Sequence, residues 1–118
     1  MEYLTLIKEG KKRNVATDIS GLTNNCAYVF NFYFNGDSNF VTNQIIKYYV
    51  KRKNNNYLFI ELSTGNFMDS KIYGVTVLKG TLKGNELCLE RCIDKDKPFN
   101  TKTEALNYID SLGVNYEY

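Results

Sequence analysis

The chain contains no histidine. Ser-His and Cys-His nucleophile pairs are therefore excluded, as is any histidine-ligated metal site. Three cysteines are present, with no CxxC spacing. Cys88 and Cys92 fall in a segment that alternates as a strand, so they stand roughly 13 Å apart at about 3.3 Å per residue. One tetrahedral zinc cannot take both, and they read as small half-buried hydrophobes. Free thiols in odd number suit a reducing, cytoplasmic compartment.

Carboxylates offer little more. Asp94 and Asp96 flank Lys95, and with Glu90 they could recruit a divalent cation. Acids in a Lys-rich loop are ordinarily just solvated, so no metal is expected. Catalysis by acids would require Glu61, Asp69, Glu90, Asp94 or Asp96 to converge, and without titratable pairs suited to neutral pH no enzyme is expected. The glycines of Leu78-Lys79-Gly80-Thr81-Leu82-Lys83-Gly84 match neither a phosphate loop nor a dinucleotide fingerprint, so no cofactor is expected.

One constellation carries a binding chemistry. Read as a hairpin, residues 45–63 place Lys47, Tyr49, Lys51, Lys53, Tyr57 and Phe59 on odd positions. Cations interleaved with rings on a sheet can hold backbone phosphates and stack bases. The alternative is a half-covered face whose Lys stems lie along the rings with their heads in water. A second basic cluster, Lys8, Lys11, Lys12 and Arg13, reads as a solvated turn that could extend such a surface.

The elements that would position these residues follow from periodicity. Cys26 to Phe34 alternates, with Cys26, Tyr28, Phe30, Phe32 and Phe34 all apolar, and is expected to be the central strand. Residues 2–8 read as an opening strand and Glu9 to Lys12 as a turn. Residues 13–20 read as a weaker strand anchored by Val15 and Ile19. Asn35-Gly36-Asp37-Ser38 is a turn signal, and residues 38–45 fit helix or strand. In the 45–63 hairpin both arms carry aliphatic residues on even positions. Shared parity calls for a three-residue loop, Asn54-Asn55-Asn56, pairing Val50 with Ile60 and Lys51 with Phe59.

The following hairpin has the opposite parity. Ile72 to Lys83 and Glu86 to Ile93 join through Gly84-Asn85, a two-residue turn. This register pairs Leu82 with Leu87, Lys83 with Glu86 and Lys79 with Glu90. Gly74 and Gly80 within an arm suggest bulges or bends. After a polar link from Asp94 to Pro98 comes a helix over 102–112. Thr101 and Glu104 form its capping box, and Ala105, Leu106, Ile109 and Leu112 form its apolar stripe. Gly113 is expected to stop it, with Val114 meeting Ile109. The tail 114–118 is expected to fray or add an edge strand.

These 118 residues suit a single domain over 1–118. Ten Tyr and seven Phe with no Trp suit a sheet. The expected class is α+β, mainly β: one curled antiparallel sheet, or a small barrel or sandwich, of six to seven hairpin-connected strands with one C-terminal helix. The net charge of +2 does not by itself imply a polyanion partner. The first half is richer in Lys and Arg than in acids, and the second half is the reverse. No export signal is visible at Met1-Glu2-Tyr3, and no apolar run is long enough to span a membrane.

By elimination the sequence points to a non-enzymatic binding or interaction protein. Its Asn/Lys/Ile/Tyr/Phe bias suggests AT-rich coding, as in a small phage or mobile-element protein that inhibits a host factor by binding. A protein partner or self-association through a sheet face or edge is expected. The alternative is a nucleic-acid or nucleotide-binding domain using the basic-aromatic sheet face.

Overall fold

Two neighbouring strands are apolar on both sides, and the fold is arranged to cover both. The computed structural model describes residues 3–24, 26–34, 44–92 and 97–115. Its strands are β1 (Leu4–Lys8), β2 (Lys11–Val15), β3 (Gln44–Lys53), β4 (Asn56–Phe67), β5 (Ser70–Lys83), β6 (Glu86–Arg91) and β7 (Lys97–Phe99). Its helices are α1 (Ile19–Asn24), α2 (Ala27–Phe34) and α3 (Lys102–Asn115). All seven strands form one sheet in the order β2-β1-β6-β5-β4-β3, with β7 also paired to β5. The sheet is open, as the first of the expected architectures had it. It is also mixed, because β1 runs parallel to β6 in the register Leu6 to Leu87.

On β4, Tyr57 and Phe59 point to one face and Leu58, Ile60 and Leu62 to the other, all buried. Such strands read as continuous hydrophobic runs rather than alternating ones. The first face is completed by Leu4, Leu6, Leu78, Leu87 and Leu89 and is covered by α1 and α2 through Leu22, Cys26, Val29 and Phe30. The second face, with Val75 and Val77, is covered by α3 through Ala105, Ile109 and Leu112. The N-terminal end of α3 is capped as expected, the Glu104 amide donating to Thr101 Oγ1 at 3.2 Å. The helix does not stop at Gly113 but continues to Asn115. The expected frayed or edge-strand tail is thus helical over residues 114–115, and residues 116–118 lie outside the described residues. The side-chain contact expected between Val114 and Ile109 also lies outside them.

The expected central strand, Cys26 to Phe34, is a helix instead. The same run satisfies a period near 3.6. Cys26, Val29 and Phe30 are buried, Tyr33 is half-buried, and Tyr28 and Asn31 face solvent. A segment apolar at nearly every position does not choose between the two periods by itself. Here the broad apolar face of β1, β6, β5 and β4 supplies the surface that needs covering. Residues 13–20 likewise split. Val15 ends β2, while Ile19 starts α1, where the Gly21 amide donates to Asp18 Oδ1 at 3.0 Å as an N-terminal cap.

The β5–β6 hairpin has the expected register, including Leu82 with Leu87, Lys83 with Glu86 and Lys79 with Glu90. Gly74 and Gly80 are not bulges, since pairing through both is continuous. Gly80 instead permits close packing. A Cβ there would lie 2.9 Å from Phe59 Cε2 and 3.0 Å from Leu87 Cδ1. Short β7 carries Pro98 on a strand paired only to β5, a position where the missing N–H breaks no ladder. Asn35 to Ser38 and residues 39–43 lie outside the described residues, as do Asp94 and Asp96.

Candidate anion-binding groove

The expected basic-aromatic face does not form. In the β3–β4 hairpin Val50 pairs with Phe59, Lys51 with Leu58 and Lys53 with Asn56. The turn is therefore the two residues Asn54-Asn55, and Asn54 adopts a positive φ of 55°. Asparagine tolerates that region better than most residues, so the tight turn is chemically reasonable. The shared-parity premise fails because β4 is buried on both faces. As a result Lys47, Tyr49, Lys51 and Lys53 lie on the α3 face, whereas Tyr57 and Phe59 lie on the α2 face at 0% exposure. Lys47 stands 5.1 Å from the Tyr49 ring, and Arg52, which no pattern singled out, stands 5.4 Å from the Tyr57 ring.

Of the acids that would have to converge for catalysis, the three among the described residues are dispersed. Glu61 lies on the α2 face, opposite Thr76. Glu90 lies on the α3 face beside Lys79, and Asp69 sits in the exposed β4–β5 turn. Among the described residues no group of three His, Cys, Asp or Glu is placed to hold a metal ion.

The basic cluster at the other end of the sheet is brought together. β1 and β2 form a hairpin closed by Lys8 opposite Lys11. Its turn residues Glu9 and Gly10 have φ of 49° and 80°, both left-handed, as a two-residue hairpin turn requires. β2 ends the sheet, and its residues Lys11 to Asn14 are all exposed, the charged edge that discourages strand addition. Lys8, Lys11 and Arg13 share the face occupied by α2, since Arg13 pairs with Leu6 of that core.

Lys8, Lys11, Lys12, Arg13 and Phe32 of α2 line a groove of about 560 Å³. Lys8 has a structural task. Its Nζ donates to the Tyr33 carbonyl and lies 4.5 Å from the Tyr33 ring. That carbonyl belongs to the last turn of α2, where helix carbonyls lack internal partners and attract cations. Burial raises the Tyr33 phenol, with the Arg91 charge opposing, so it stays neutral near pH 7. Lys12 approaches Glu86 at 4.0 Å, an exposed pair worth at most about 1 kcal/mol. Among the described residues Lys11 and Arg13 have no carboxylate within ion-pair distance. Four cations around one concavity repel each other, and an anion placed among them relieves that repulsion.

Among the described residues no cysteine lines the groove. Burial, reinforced by the Glu61 charge, pushes the Cys26 thiol up to about 12, so it is held as an unreactive thiol. Burial also raises Cys92. The sequence offered the cluster at 8–13 but not Phe32 as its neighbour, because Phe32 reaches it only once residues 27–34 are helical. No family model, no curated protein and no solved structure matches this chain.

Proposed function

We propose that this chain is a non-catalytic binding protein that works by occupancy, capturing an anionic partner in the groove of Lys8, Lys11, Lys12, Arg13 and Phe32. The observation that carries it is the concavity of about 560 Å³ lined by four cations. Its volume lies within the roughly 300–1,000 Å³ of ordinary ligand sites. A small protein acting in this way suits an inhibitor from a phage or mobile element that masks a host factor, the biological setting its composition suggests. Binding of a fluorescent heparin fragment, followed by anisotropy, tests the groove. Affinity is expected to fall steeply with salt and to drop at least about tenfold in the Lys11→Glu/Arg13→Glu double variant. Salt-insensitive binding, or equal binding by that variant, would refute it.

Self-association is a second reading, favoured by the far edge of the sheet. There Ile45 and Ile46 are 43% and 37% exposed on terminal strand β3. Among the described residues no strand pairs with the outer edge of β3, and an open edge beside exposed aliphatics is a template for strand pairing. Sedimentation velocity tests it: a dimer that becomes monomeric in Ile45→Lys supports pairing through β3, and a monomer at high concentration rejects it.

A further inference from the structure

We infer that the partner of the groove is single-stranded nucleic acid, its phosphates held by Lys11 and Arg13 and one base stacked on Phe32. This rests on the groove's being an anion site. Lys11 and Arg13 are alternate residues of one strand and share a face. Their Cα atoms are therefore about 6.6 Å apart at about 3.3 Å per residue, a spacing that follows neighbouring phosphates along an extended strand. Lys8 stands directly across from Lys11, so the positive row is two strands deep. Lys8 is engaged by the Tyr33 carbonyl and fixes the wall, which leaves Lys11 and Arg13 to reach the ligand.

The ring decides between classes of anion. Phe32 is half-buried against the core, and its remaining surface lines the groove. A bare phosphate or sulfate gains nothing from a ring beside the cations. An unpaired base does, because any base can stack on a ring without regard to sequence. A duplex offers no free base face at this position. The stacking ring and the phosphate contacts together predict binding that is tolerant of sequence, sensitive to salt and dependent on bases.

Anisotropy with four probes tests this: fluorescein-labelled oligo-dT, an abasic oligomer of equal length, a heparin fragment and labelled ATP. Oligo-dT is expected to bind about tenfold tighter than the abasic strand. The slope of log affinity against log salt is expected to be about −0.7 for each phosphate neutralised. Phe32→Leu should weaken oligo-dT several-fold more than it weakens heparin, and Phe32→Trp, which keeps a ring, should retain or strengthen oligo-dT binding. Near-native thermal melting of both variants is the control for folding. Equal affinity for oligo-dT and abasic strand, or for oligo-dT and ATP, overturns the inference yet leaves an anion site standing. Failure of all four probes to bind removes the anion site as well.

Discussion

The two ends of the sheet are both rich in Lys and Arg, yet they are built to different effect. At one end Lys8, Lys11 and Arg13 share one face of the β1–β2 hairpin and line a single concavity with Phe32. At the other, Lys47, Lys51 and Lys53 lie on one face of β3 and Arg52 on the opposite one, with Tyr57 and Phe59 sunk in the core. Similar residues thus make a groove in one place and a dispersed edge in the other. The difference lies in what stands beside each strand. The β1–β2 hairpin has α2 packed next to its charged tip, while the register of the β3–β4 hairpin separates its cations from its rings. Charge and aromatic content name a chemistry, but a neighbouring element turns it into a site.

The sharpest test of that contrast is whether the rings of the β3–β4 hairpin are core. Phe59→Ala is expected to cost about 3–5 kcal/mol in urea unfolding, whereas a surface ring would cost well under 1 kcal/mol. Next in size is the pair of charge reversals. Lys11→Glu/Arg13→Glu should lower polyanion affinity at least about tenfold, near 1.4 kcal/mol, and Lys47→Glu/Lys51→Glu by less than about threefold. Comparable losses at both ends would erase the distinction. Gly10→Val tests the turn that shapes the groove. Open space surrounds Gly10, but its φ of +80° disfavours a branched side chain. The expected cost is about 1–2 kcal/mol, accompanied by weaker heparin binding.

A smaller effect concerns Cys26, buried at the N-terminal end of the helix that carries Phe32. Its thiol titrates near 12 in the fold against 9.0 when unperturbed. The unfolded chain therefore loses that proton first, and stability present below pH 9.0 declines as pH rises toward 12. Melting temperatures measured across that window should fall less steeply in Cys26→Ala than in the parent. Opposite in sign is Tyr57→Phe. The Tyr57 hydroxyl is buried without a hydrogen-bond partner among the described residues, so its removal should raise stability, by about 1 kcal/mol.

How much of this was legible depended on whether local chemistry had one solution. The β5–β6 hairpin was readable because Gly84-Asn85 fixes a tight turn, and the pairs Lys79–Glu90 and Leu82–Leu87 agree with it. Helix α3 was readable because its capping box and stripe point the same way. The β3–β4 register was not. Asn54-Asn55-Asn56 permits two- and three-residue turns, and β4 is apolar on both faces, so parity carries no information there. Cys26 to Phe34 failed for a related reason, since its aromatic run satisfies both periods and only the uncovered face of the sheet selects the helix. The groove was half legible: its cations were visible as a cluster, but its ring depended on that helix.

The parallel pairing of β1 with β6, only Thr5 to Ile7 against Glu86 to Cys88, has a kinetic consequence. The meander from β3 to β6 is built from neighbours in sequence, whereas β1 must find a partner about eighty residues downstream. The N-terminal hairpin and its helices are therefore expected to dock late and to open first, ahead of β4 and β5, in native-state hydrogen exchange. The groove residues Lys8, Lys11, Lys12, Arg13 and Phe32 all belong to that late-docking segment, so occupancy by a ligand would act as a latch on it.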